Sequence, residues 1–122
     1  METTIYLRGS KTAIESLFNK GINRHANLRY YHYLGDGRSK VIVRHNEGVI
    51  LAENRVYTIE GLIKRCKPTY HIITFCADCG EDDKPEVFTL QQATAKCKEY
   101  LAEGYDWAKV VKNHKVVACY CK

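Results

Sequence analysis

Leu28-Arg29-Tyr30-Tyr31-His32-Tyr33-Leu34-Gly35-Asp36-Gly37-Arg38-Ser39-Lys40-Val41-Ile42-Val43-Arg44-His45 is the stretch that decides the fold. Two runs rich in β-branched and aromatic residues, 28–34 and 40–45, flank Gly35-Asp36-Gly37, whose glycines accept the positive φ of a tight hairpin turn. An isolated ribbon is not stable in water, so its apolar side needs further strands or a helix against it.

Both are supplied nearby. Upstream, Thr4 to Arg8 reads as a strand ending at Gly9-Ser10, and Thr12-Ala13-Ile14-Glu15 has capping-box spacing at the start of a helix. Ile14, Leu17 and Phe18 form that helix's apolar stripe, and Gly21 stops it. Downstream, Val49 to Tyr57 reads as a strand kinked near Glu53-Asn54. Thr58 then caps a short helix carrying Ile59, Leu62 and Ile63 to Cys66, before Pro68.

The remainder repeats the theme. Tyr70 to Cys76 is a buried strand, Gly80-Glu81-Asp82-Asp83-Lys84-Pro85 an acidic loop, and Thr89 with Gln92 a second capping box. Leu90, Ala93, Cys97, Tyr100 and Leu101 give a helical stripe that Gly104 ends. Trp107–Lys112 and Lys115–Cys121 close the chain around Asn113-His114, and a two-residue loop there puts Ala108, Val110, Val117 and Cys119 on one face. The expected class is α+β: an antiparallel sheet with two main helices, in halves 1–67 and 68–122 packed as one unit. The shared strand–helix–hairpin order suggests a β-α-β-β internal repeat.

At 122 residues, with 45% hydrophobic and 27% charged residues and two prolines, the composition is that of a folded globular domain. No apolar run reaches the roughly 18 residues that span a bilayer, and no leader precedes the first strand, so a cytoplasmic, non-membrane protein is expected. In a reducing compartment the six cysteines are thiols or metal ligands and not disulfides. The net charge of +5 is uneven: residues 1–67 carry 12 Lys/Arg against 6 Asp/Glu, whereas the rest is close to neutral. A basic half attracts an anionic partner, whether nucleic acid or an acidic protein surface; it also serves solubility alone.

Two constellations could carry chemistry. Cys76-Ala77-Asp78-Cys79-Gly80, with Cys119-Tyr120-Cys121, has the thiolate count of a structural zinc site, Cys76 and Cys79 forming a knuckle and Cys119 and Cys121 completing it. His71 and His114 are substitute ligands. The alternative is that these cysteines are small core residues, as Cys66 and Cys97 are by their place on helical stripes. Thiol–disulfide catalysis by Cys76 and Cys79 is disfavoured, because Asp78, Glu81, Asp82 and Asp83 raise thiol pKa values.

The second constellation is the basic, Tyr-rich hairpin. Uninterrupted alternation puts Arg29, Tyr31 and Tyr33 on one face opposite Arg38, Lys40 and Arg44, and Arg8, Arg24 and Arg55 extend it. Such a face pairs with phosphates and stacks on bases, or anchors a protein, or is plain sheet surface. No nucleophile–base pattern or phosphate loop stands out, so a binding protein is expected and not an enzyme.

Tyr6-Leu7-Arg8-Gly9-Ser10-Lys11, followed by a short capped helix, resembles the start of small accessory proteins of phages and mobile elements, anti-CRISPR and other anti-defence inhibitors among them. The resemblance implies a compact inhibitor that occupies a host protein or ribonucleoprotein complex, or competes for its RNA or DNA. Known inhibitors of this sort are frequently acidic DNA mimics, and this basic chain departs from that pattern. The alternative function is a nucleic-acid-binding module with a structural zinc.

Overall fold

The computed structural model describes residues 1–122, which divide into two compact units, Met1–Lys67 and Pro68–Lys122. The N-terminal unit runs β1 (Glu2–Arg8), α1 (Lys11–Lys20), β2 (Ala26–Gly35), β3 (Arg38–His45), β4 (Val56–Thr58) and α2 (Ile59–Arg65). Its sheet has the order β2-β3-β1-β4, with β1 antiparallel to β3 and parallel to β4.

Alternation decides which side is covered. Thr3, Ile5 and Leu7 of β1 and Ser39, Val41, Val43 and His45 of β3 are buried, and they pack with Ile14 of α1 and Leu62 of α2 in the core. The helices cover this side closely: a Cβ on Gly9 would stand 2.7 Å from Ile59 Cδ1, so a larger residue at the β1–α1 junction would have to displace the end of that side chain. The opposite face carries no helix of this unit.

Two local expectations are corrected here. The cap of α1 is Ser10, not Thr12: Ser10 is extended, and its Oγ accepts from the Ala13 amide at 3.1 Å, while Thr12 already lies inside the helix. The strand expected over 49–57 shrinks to Val56–Thr58. The Ala52 carbonyl accepts from Arg55 N, and Asn54 takes φ 61, so a turn occupies what would have been mid-strand.

The C-terminal unit runs β5 (Tyr70–Cys76), β6 (Gly80–Val87), α3 (Leu90–Glu103), β7 (Trp107–Lys112) and β8 (Lys115–Cys121), in the order β6-β5-β7-β8, antiparallel throughout. Ile72, Ala93, Cys97, Ala108 and Val110 form its core. The capping box of α3 is complete: Thr89 Oγ1 accepts from Gln92 N, and Gln92 Oε1 accepts from Thr89 N. Gly104 ends the helix in the left-handed conformation.

The acidic loop expected over 80–85 is instead strand β6. It forms because the chain reverses at Cys76–Cys79 and Gly80, at φ 74, re-enters the sheet. As an edge strand it needs only one row of ladder bonds, so it tolerates exposed acids, and the register shift opposite Tyr70–Ile72 falls at Pro85.

Asn113 and His114 both take positive φ, as the two central residues of a type I′ turn do. A register shift at Val110/Val111 then pairs Val110 with Ala118 and Ala108 with Tyr120. Ala118 and Tyr120, not Val117 and Cys119, therefore share the core face. The two units also differ in pairing. The second strand of the hairpin, β3, lies beside β1, whereas the first strand, β7, lies beside β5. Both units contain a strand–helix–hairpin run, but β6 stands between β5 and α3, so the C-terminal unit is β-β-α-β-β and differs from the N-terminal one in order as well as in pairing. No helix is long and apolar enough to cross a membrane.

Candidate functional site

The helix-free face of the N-terminal sheet is built from the residues that alternate with its core. In β1 these are Glu2, Thr4, Tyr6 and Arg8, facing Arg44, Ile42, Lys40 and Arg38 of β3 in that order. Across the next ladder, Lys40 faces His32, Ile42 faces Tyr30 and Arg44 faces Asn27. Arg8, Arg38, Lys40, Arg44, Tyr30 and His32 are exposed, and Tyr6 is half-buried.

Of the expected contact residues, Arg38, Lys40 and Arg44 lie together on this face, along one strand. Arg29 joins them from a bulge: its Nε is 2.8 Å from Glu2 Oε2, and Arg44 reaches the same oxygen at 3.4 Å. Tyr31 and Tyr33 do not. The register shift between Leu28 and Tyr30 inserts one residue, so Tyr31 falls opposite Val41 and Tyr33 opposite Ser39, on the covered side. Tyr31 packs on Phe18 of α1 with ring centroids 5.1 Å apart, and the Tyr33 hydroxyl accepts from Gly37 N. The expectation of one face holding Arg29, Tyr31 and Tyr33 fails because a bulge reverses the parity of every residue beyond it. The tyrosines on the open face are Tyr6 and Tyr30. Sequence reasoning missed both, although the three-residue step from Leu28 to Tyr31 between inward positions is the trace a bulge leaves.

The electrostatics of this face are unbalanced. Arg8 and Arg38 stand directly opposite each other, with Lys40 two residues along, and no carboxylate pairs with any of the three. Directly opposed like charges destabilise a sheet. The single acid, Glu2, is shared by Arg29 and Arg44, all with side chains 41–60% exposed, where an ion pair contributes roughly 0–1 kcal/mol. An anion laid along β3 relieves the repulsion.

The cysteines of the C-terminal unit do not converge. Cys76 and Cys79 flank the β5–β6 turn and line an open cleft of about 400 Å³ with Glu103, Gly104 and Tyr105, at the end of α3. Cys119 and Cys121 project from β8 on the opposite side of the sheet, Cys121 opposite Trp107, whose ring stacks on Phe75 at 5.3 Å. The four thiols expected to hold zinc are thus split between two faces, and no group of three or more Cys, His, Asp or Glu is placed to hold a metal ion. The substitute ligands lie elsewhere: His71 pairs with Asp83, and His114 sits in the β7–β8 turn. Cys66 and Cys97 are buried, and burial pushes the Cys66 thiol up to about 11 and raises that of Cys97.

Elsewhere the histidines have structural partners. His45 is buried with Nε2 2.8 Å from Thr3 Oγ1 and Nδ1 2.9 Å from the Asn46 carbonyl, and Asn46 Nδ2 bonds His25. Lys84, on the helix side of the C-terminal sheet, is held by Asp82 and by the Tyr105 hydroxyl, which raise its pKa. No family model, no curated protein and no solved structure matches this chain.

Proposed function

We propose that this is a non-enzymatic binding protein that docks single-stranded nucleic acid, RNA or DNA, on the open face of its N-terminal sheet. The observation that carries the reading is the unpaired cluster of Arg8, Arg38 and Lys40, flanked by Tyr6, Tyr30 and His32 on a face free of helices. Cations tracking a phosphate backbone, with aromatic rings beside them for bases to stack on, are the means by which single strands are held without sequence readout. Exposed RNA in a host ribonucleoprotein complex, the target class implied by the N-terminal resemblance, offers the same chemistry, so an inhibitor would use this face as well.

The test is fluorescence anisotropy with a labelled single-stranded oligonucleotide and its duplex. The wild type is expected to favour the single strand. Arg38→Gln/Lys40→Gln/Arg44→Gln is expected to lose most of the affinity, and Tyr30→Ala to lose about 1–3 kcal/mol of stacking. Unchanged binding by the triple variant, verified as folded by circular dichroism, removes the face from consideration.

A further inference from the structure

We propose that Cys76 and Cys79 are a modification site of the C-terminal unit, closing to a reversible intramolecular disulfide by exchange with a low-molecular-weight disulfide such as oxidised glutathione. Their placement carries the inference. The Cys79 amide donates to the Cys76 carbonyl at 3.2 Å, closing a four-residue turn. Such a turn holds its end Cα atoms within ~7 Å, which overlaps the roughly 4.4–6.8 Å that a disulfide spans. The turn is fixed from both sides: the Ala77 amide donates to Asp106 Oδ2 at 2.9 Å, and Gly80 takes φ 74 to enter β6. Cys76 is also the largest influence raising the Cys79 pKa, ahead of the charges of Asp78 and Asp82.

Other thiols of the chain are not placed to compete. Cys66 and Cys97 are fully buried. Cys119 and Cys121 are two apart on β8, on one face, where strand geometry sets their Cα atoms about 6.6–6.8 Å apart with parallel side chains that do not converge. Cys79 is exposed and opens onto the cleft beside Gly104, so a small disulfide reaches it.

The exchange balances without a further reactant. One cysteine, as its thiolate, attacks a sulfur of oxidised glutathione; the S–S bond of glutathione breaks, and one glutathione leaves as thiol. The second cysteine attacks the resulting mixed disulfide, forming the Cys76–Cys79 bond and releasing the second glutathione, and the two cysteine protons end on the two glutathione thiols. The acids that raise the Cys79 pKa slow attack by Cys79, but they also leave its thiolate without stabilisation. Stabilisation of the reduced form is what makes a disulfide strongly oxidising, so this one closes under mild oxidation.

The experiment equilibrates the full chain in glutathione buffers of graded ratio, quenches with acid, alkylates the remaining thiols and maps the peptides by mass spectrometry. Expected is a single intramolecular bond between Cys76 and Cys79, its yield following the ratio of oxidised glutathione to the square of reduced glutathione and reversing with dithiothreitol. Cys119→Ser/Cys121→Ser is expected to leave the curve unchanged, and Cys79→Ser to abolish the bond while circular dichroism stays that of the wild type. Both thiols remaining alkylatable in oxidised glutathione alone, or a bond mapping to another pair, overturns the proposal.

Discussion

The salt dependence of oligonucleotide binding gives the sharpest test of the open sheet face. Arg8, Arg29, Arg38, Lys40 and Arg44 lie on it, against Glu2, so about four net charges are available to displace counterions. Each neutralised phosphate of a single strand contributes roughly 0.7 to the slope of log affinity against log salt, which gives about −2.8 for the wild type. Raising salt from ~50 to ~200 mM should then weaken binding about 50-fold. Arg38→Gln/Lys40→Gln/Arg44→Gln leaves about one net charge, a slope near −0.7 and a loss of about threefold over the same range. Anisotropy titrations at four or five salt concentrations measure both slopes. Lys96→Gln, in the Lys96–Glu99 pair on α3, serves as the control and should leave the slope at its wild-type value. A wild-type slope shallower than about −1, or one that the triple substitution does not change, refutes the assignment of phosphates to this face.

Three further outcomes test the fold beneath it. The Cys66 thiol is pushed up to about 11 from an ordinary 9.0, so folding favours its protonated form; that stability is complete below pH 9 and is lost as pH rises through 11. Under reducing conditions, urea denaturation should show the wild type losing about 2 kcal/mol more than Cys66→Ala between pH 8 and pH 10.5, and equal losses would contradict the burial. Thr89→Ala removes the acceptor of the Gln92 amide at the head of α3 and should cost about 1 kcal/mol, read as a lower melting temperature of the C-terminal unit; no change means the cap is not formed in solution. Ser39 is fully buried and its hydroxyl has no hydrogen-bond partner, so Ser39→Ala should be neutral or stabilising by up to about 1 kcal/mol in chemical denaturation, and a clear loss would reveal a partner for Oγ.

The α+β class was legible because its largest signals are local. The hairpin around Gly35-Asp36-Gly37, the capping box of Thr89 and Gln92 and the glycine stop at Gly104 are each set by residues within a few positions of one another. Strand β6 was not legible: its Glu81, Asp82, Asp83 and Pro85 read as loop chemistry, and only pairing with β5 makes them an edge strand. The candidate site was half legible. Arg38, Lys40 and Arg44 share parity in an unbroken strand, so alternation placed them correctly, but Tyr31 and Tyr33 lie beyond the register shift in β2. The same error recurred at Val117 and Cys119, past the shift in the β7–β8 ribbon. Bulges depend on how two strands twist against each other, and period-two counting along one strand is blind to that.

The shift in β2 has a consequence for variation along this strand. Before it, the even-numbered positions Ala26 and Leu28 face the core and Asn27 faces water; after it, the odd-numbered Tyr31 and Tyr33 face inward while Tyr30 and His32 look outward. Saturation mutagenesis scored for folding should therefore find intolerance on even numbers up to 28 and on odd numbers from 31, with Arg29 the permissive residue between the two phases. Deleting Arg29 would remove the extra residue and bring the strand into one phase, with Leu28, Tyr31 and Tyr33 all still facing the core and Tyr30 and His32 still facing outward.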